Sequence, residues 1–161
     1  MIEHVDSESR TTDDDHLSIR VWLRLLACTN LIESAISTRL REEFATTLPR
    51  FDFLSQLQRV PRGLRMSEIS GRMMVTPGNI TRIADQLEAD ALIARTPGAG
   101  DRRTSVVRLT PAGRRAFAEM ARAHEAWIVG MFGALSERRR TDLHEVLAVL
   151  KRHLTTTKDE A

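Results

Sequence analysis

From Val75 to Thr110 the chain reads VTPGNITRIADQLEADALIARTPGAGDRRTSVVRLT. Thr76 is a helix-capping residue, and Pro77 suits a first helical turn, where its missing N–H costs nothing. Ile80, Ile83, Ala84 and Leu87 then fall at i, i+3, i+4 and i+7, so the spacing predicts a helix that buries one face. Gly78, Asn79, Thr81, Arg82, Asp85 and Gln86 are left turned outward. That face is short, polar and rich in groups that hydrogen-bond base edges or phosphates, as a helix seated in a major groove requires. A hairpin is predicted next: a strand from Leu92 to Thr96, a loop Pro97-Gly98-Ala99-Gly100-Asp101, and a strand from Arg102 to Leu109 with Val107 and Leu109 on one face. Asp101, Arg102 and Arg103 stand at its tip.

A capped amphipathic helix followed by a basic β-ribbon is the winged helix-turn-helix pattern. Around it come the pair Asp101-x-Arg103, the run LTPAGRRAF from Leu109 to Phe117, one long helix before and two after. With that ordered set the chain resembles the MarR family of transcriptional regulators over nearly all its length beyond the first dozen residues. The resemblance implies a mainly α chain with a small β-hairpin wing (α+β), a winged helix-turn-helix whose N- and C-terminal helices form a dimerisation region. It also implies that Arg103 reaches DNA while Asp101 orients the wing. Such proteins often repress by occupying operators that overlap promoters, and leave when a small molecule binds. Ala91 departs from the pattern, because the family commonly has Gly between recognition helix and wing, and a non-Gly residue at positive φ is strained.

With 161 residues, 42% hydrophobic and 29% charged, the chain has the length of one well-packed domain per subunit. Its formal net charge of +2 hides an uneven distribution. Residues 1 to 16 hold one arginine and six acids, whereas residues 62 to 115 hold ten arginines and five acids. The excess of positive charge sits in the segment that carries the helix and ribbon, the footprint of a nucleic-acid binder. No apolar run approaches the ~20 residues that span a bilayer, and the acidic start lacks the order of a signal peptide. A cytoplasmic protein with no membrane partner is expected. Cys28 is the single cysteine, so no intrachain disulfide can form. His4, His16, His124, His144 and His153 show no short metal-ligand spacing, and no phosphate loop, nucleophile elbow or HExxH is present. The reading is of a binding protein with no catalytic residues, no metal and no cofactor.

Residues 1–12 are polar and acidic without periodicity and are expected to form a flexible start. A long helix is predicted from about Asp13, with Asp13, Asp14 and Asp15 at the positive end of its dipole. Leu17, Val21, Leu25, Cys28, Ile32, Ala35 or Ile36, and Leu40 make one stripe, and Trp22, Leu23, Leu26 and Leu31 add apolar surface off it. A helix apolar beyond one stripe is buried on more than one side, and here a second subunit is the simplest cover. Pro49 ends or closely follows that helix; Phe51, Leu54, Leu57 and Val60 give a short helix stopped by Pro61-Arg62-Gly63. Ile69, Met73 and Met74 place the first helix of the helix-turn-helix over Met66 to Met74. Thr110 and Pro111 repeat the cap-then-proline signal before a line of Phe117, Met120, Ala121, Ile128, Met131 and Leu135. Ser136 and Glu137 open a last helix whose Leu143, Val146, Leu147, Leu150 and Leu154 form the other half of the predicted dimer interface, followed by a polar tail from Thr155 to Ala161. The predicted division is therefore 1–12 as the acidic start, 13–48 and 110–157 as the helical dimerisation region, and 49–109 as the DNA-binding lobe.

Thr76, Asn79, Thr81, Arg82, Gln86, Asp101, Arg102 and Arg103 are the candidate DNA contacts. Arg103 suits a narrow minor groove, where negative potential is concentrated, and Arg82 a bidentate contact to guanine. Arg62, Arg65, Arg72, Arg95, Arg102 and Arg108 are weaker candidates for phosphate contacts. The partners predicted are double-stranded DNA with a pseudo-palindromic operator, a second copy of the chain, and a small-molecule effector. Arg20, Trp22 and Arg24, with Arg50 at the next corner, offer an aromatic platform beside cations, suited to an aromatic ring joined to a carboxylate, thioester or phosphate. The segment WLRLLACTNLIESAISTRLREEFATTLPRFDFL, Trp22 to Leu54, is similar to the subgroup that responds to hydroxycinnamic or benzoic acid catabolites, several as coenzyme A thioesters. Cys28, among leucines, reads as a buried small hydrophobe rather than a sensor thiol, which needs access and a lowered pKa. A cysteine-based redox-responsive regulator and a helical protein-interaction module without DNA binding are the alternatives.

Overall fold

The structure, a computed structural model, describes residues 16–73, 77–98 and 101–159, and their side chains except at 77, 97–98, 101–104 and 158–159. In chain order the elements are α1 Leu17–Phe44, α2 Leu48–Gln58, β1 Leu64–Arg65, α3 Met66–Met73, α4 Pro77–Ala89, β2 Ile93–Gly98, β3 Asp101–Leu109, α5 Pro111–Met131 and α6 Glu137–Asp159. They fall into two units, one running to Arg122 and the other from Ala123.

In the first unit, the antiparallel sheet runs β1-β3-β2, so β2 is an edge strand. Ile80, Ile83, Ala84 and Leu87 of α4 are all buried, as their spacing predicts. Val107 and Leu109 share the buried side of β3 with Ile93 of β2. The core is completed by Ile69 of α3 and by Phe51, Phe53, Leu54 and Leu57 of α2, and the Phe51 ring stacks on Phe117 of α5 at 5.5 Å between centroids. Phe53, outside the predicted line of α2, is among the largest fully buried side chains; burying a ring of that size contributes about 1.5–3 kcal/mol.

α1 departs from the sequence reading in its burial more than in its ends. Among the described residues α1 starts at Leu17, and Asp13, Asp14 and Asp15 lie outside them. It stops at Phe44 because Ala45 turns left-handed, φ 49°, and returns its N–H to the Arg41 carbonyl at 3.2 Å. Pro49 closely follows it, one of the two placements expected, and sits in the first turn of α2, where the lost donor is an orphan in any case. The predicted stripe of α1 is buried only toward its C-terminal end, at Ile36 and Leu40, while Leu17, Val21 and Cys28 are exposed in the single chain. Cys28 lies on the part of that stripe for which a second subunit is the expected cover.

The wing is also larger than expected. β1 pairs Leu64 with Val107 and Arg65 with Val106, a third strand too short to leave a periodic signal. Gly63 turns the chain into it at φ 89°, and a Cβ there would lie 2.6 Å from the Val107 carbonyl oxygen. β2 and β3 extend until Gly98 faces Asp101, with a register shift between Thr96 and Gly98. Asp101 therefore belongs to a strand, not to the five-residue loop predicted from the glycines. Pro97 falls at that shift, where a residue without an N–H interrupts no ladder bond.

Ala91 adopts φ 55°, the left-handed geometry that the glycine of the family pattern would take without strain. Thr110 fastens this corner: its hydroxyl donates to the Ala91 carbonyl at 2.7 Å and accepts the Gly113 N–H at 2.9 Å. The cap-then-proline start of α5 is therefore present as predicted.

In the second unit, a turn over residues 132–135 leads to Ser136, whose carbonyl accepts the Arg140 N–H at 3.0 Å, and then to α6. Its Leu143, Val146, Leu147, Leu150 and Leu154 are exposed. The helix continues to Asp159, through most of the polar tail expected from Thr155 to Ala161. Thr155, Thr156 and Thr157 bond back to carbonyls one turn earlier, which satisfies hydroxyls that otherwise compete with the helix. Among the described residues no helix is long and apolar enough to cross a membrane.

Candidate nucleic-acid interface

Because Ile80, Ile83, Ala84 and Leu87 fix one side of α4 in the core, the other side is fixed outward. Thr81, Arg82, Asp85 and Gln86 are exposed and Asn79 is half-buried. The Arg82 Nη2 donates to the Asn79 Oδ1 at 3.3 Å. An amide partner holds the guanidinium in place without neutralising it, so the fork keeps its charge and its other donors. Thr76 lies outside the described residues. Asp101, Arg102 and Arg103 open β3 at the far end of the hairpin, and their side chains also lie outside.

Two of the arginines read as phosphate contacts have other work. Arg95 of β2 ion-pairs with Asp85 of α4, and its Nε stands 3.3 Å from the Glu88 Oε2. The ribbon is thereby pinned to the helix that presents Asn79 and Arg82. Arg108 of β3 donates from Nε to the Arg62 carbonyl at 2.7 Å and from Nη1 to the Thr96 hydroxyl at 3.3 Å. It ties the turn before β1 to the ribbon. Arg62, Arg65 and Arg72 remain exposed, while the Arg65 backbone N–H donates to the Glu68 Oε2 at 2.7 Å at the start of α3.

The four residues proposed for an effector do not meet within one chain. Arg50 ion-pairs with Asp90 beyond the end of α4, and beside it lie Phe44, Ala45 and Thr46 in a small cleft of about 190 Å³. Arg20, Trp22 and Arg24 lie on the opposite half of α1; at ~1.5 Å per residue, Arg24 and Phe44 are about 30 Å apart along the helix. Trp22 is exposed.

A larger, open cleft of about 420 Å³ lies where three helices approach, and the sequence reading missed it. Ser37 and Arg41 come from the end of α1, and Thr47, Leu48 and Pro49 from the start of α2. The third wall is the side of α4 that carries Asn79, Arg82 and Gln86, above buried Ile83. Among the described residues, no three metal-ligating side chains gather.

A sequence model of the MarR family matches residues 46–105, from just before α2 into β3. The chain is 29% identical over 140 residues to the transcriptional activatory protein BadR of Rhodopseudomonas palustris, across 83% of this chain and 78% of that one. The solved MarR family transcriptional regulator from Silicibacter pomeroyi is 28% identical and matches with a TM-score of 0.72 over 91% of this chain and 99% of its own. Sco3205 from Streptomyces coelicolor, solved in complex with DNA, shares the fold at a TM-score of 0.74 over 89% of this chain and 91% of its own, with 19% identity.

Proposed function

We propose that this chain, which belongs to the MarR family of winged helix-turn-helix transcriptional regulators, is a homodimeric repressor released from DNA by an aromatic acid or its coenzyme A thioester. Membership makes it a DNA-binding transcriptional regulator and not an enzyme. The observation that carries the DNA-reading assignment is the exposed Arg82 and Gln86 on a helix whose opposite side is wholly core. Asn79, Thr81, Arg82 and Gln86, with Thr76, enter the major groove in this reading, and Asp101, Arg102 and Arg103 bring the wing to the neighbouring minor groove. Residues 49–109 are the reading lobe, and 13–48 with 110–157 the dimerisation region.

Dimerisation is supported by the exposed apolar residues of α1 and of α6, each of which needs cover in water. A two-fold dimer reads a pseudo-palindrome with half-sites about one helical turn apart. The effector class rests on the resemblance of Trp22 to Leu54 described above. Selection of bound duplexes from a random pool tests the first part: such a pseudo-palindrome is expected, and no retention even at low salt would overturn it. In vitro transcription from a promoter overlapping that sequence then separates repression from activation, and a panel of aromatic acids and their thioesters tests release.

Cys28 is exposed in the single chain, and in a second reading oxidation of its thiol is the signal. Release of DNA by peroxide from the parent protein and not from Cys28→Ser would select it over the acid.

A further inference from the structure

We infer that the 420 Å³ cleft between the end of α1, the start of α2 and α4 receives the sugar–phosphate ridge of one DNA strand, and that Arg41 holds a phosphate there. The inference rests on the DNA-reading assignment above and extends that interface from the helix-turn-helix to the end of α1.

A helix with its side chains is about 10–12 Å across, and the major groove is about 12 Å wide. A helix seated there fills the groove, so the strand backbone on either side must be received by whatever flanks the helix. On one flank of α4, Asp85 and Glu88 hold Arg95 of β2, and the space is closed by the ribbon. On the other flank Asn79, Arg82 and Gln86 border an open cleft. Entry of α4 into a groove therefore brings a phosphate ridge into that cleft.

The far wall of the cleft carries what a phosphate needs. Arg41 lies in the last turn of α1 and is exposed, and its planar fork can address two phosphate oxygens at once. Ser37, about one turn earlier, and Thr47, just before α2, stand on the same wall, and hydroxyls are ordinary donors to phosphate. Thr47 occupies the N-cap position of α2 without a side-chain hydrogen bond to that helix, so its hydroxyl is not committed to capping. Among the described residues no carboxylate lines the cleft, although Glu42 and Glu43 directly follow Arg41. Position beside the reading face, and not exposure, sets Arg41 apart from the other arginines of this unit. Arg24 of the same helix is about 25 Å away along its axis.

A phosphate contact carries no base preference; it fixes register and orientation. Here the anchor comes from α1, outside the helix-turn-helix. The strand that borders the groove is thereby tied to the helix through which the two subunits are proposed to join.

Titration of the full chain against the selected duplex and an unrelated one, at several salt concentrations, tests this. Arg41→Gln is expected to weaken both by about tenfold, the scale of one charge-assisted hydrogen bond. The slope of log K against log salt should fall by about 0.9 for each subunit bound. Arg41→Lys should keep the slope, and both variants should melt as the parent does, since Arg41 is exposed. Methylphosphonates, in which a methyl group replaces one phosphate oxygen and removes its charge, are then placed symmetrically in both half-sites, one pair at a time. One position bordering the major groove is expected to weaken the parent and leave Arg41→Gln unchanged. If Arg41→Gln keeps the parent's affinity and slope, the inference falls while the DNA reading stands. It falls too if every methylphosphonate weakens variant and parent alike, which would make Arg41 a diffuse charge and not a seat. If the parent retains no duplex even at low salt, both fall.

Discussion

Gly113 lies against the backbone of Leu92, so that a Cβ built on it would stand 1.9 Å from the Leu92 carbonyl oxygen. The first turn of α5 is thus packed on the exit from α4, and the Thr110 N–H reinforces the approach by donating to that same carbonyl at 3.1 Å. The obstacle is backbone, which cannot rotate away. Gly113→Ala is expected to cost ~1–3 kcal/mol as an overpacking change, read as a fall of about 2–4 °C in melting temperature per kcal/mol. An unchanged melt would contradict the close approach.

Asp85→Ala removes the ion pair that holds Arg95 of β2 to α4. Both side chains are partly solvated, so the stability loss should stay within about 1 kcal/mol. DNA affinity should fall more clearly, because of the two carboxylates that hold Arg95 to α4 only Glu88 is then left. Denaturant unfolding beside a gel-shift titration reads the two effects, and full DNA affinity would show that the pair does not set the wing.

Arg103→Ala should weaken binding to the selected duplex by ~1–3 kcal/mol and leave folding nearly untouched. It stands near the open end of the hairpin, on β3. An unchanged titration removes Arg103 from the interface, and a loss spread equally over unrelated duplexes makes it a phosphate contact instead.

Leu147→Glu places a charge in the exposed apolar stripe of α6. Monomers or insoluble protein are the expected result, measured by light scattering. A folded monomer of the parent at micromolar concentration would refute the homodimer.

Ala91→Gly relieves a left-handed alanine, a conformation that costs an L-residue roughly 1–2 kcal/mol. Part of that gain is offset by the freedom glycine adds to the unfolded chain, about 0.5–1 kcal/mol. The variant should be neutral to about 1 kcal/mol more stable by chemical denaturation; a clear loss would mean that the methyl group packs usefully.

The helix over Pro77–Ala89 and the strand to Leu109 were legible because each rests on local periodicity, and the strain at Ala91 because one residue type stood out at one corner. Distant partners were not legible. Nothing in the string around Arg108 says that its guanidinium meets the Arg62 carbonyl, and nothing around Arg95 says which of several acids it will choose. Phe53 escaped because α2 is buried on more than one side, so no single stripe contains both Phe51 and Phe53. Arg50 was grouped with Trp22 because both were read as lying near one junction of helices, whereas a straight helix carries them apart. The cleft at Arg41 needed three helices to meet before it existed.

β2 is the outer strand of the sheet, and Pro97 takes one N–H from its open edge where the register shifts. An unbroken edge of that kind is a template for another chain's strand. A proline at the interruption has no N–H to offer such a strand, so the edge cannot template one continuously past this point.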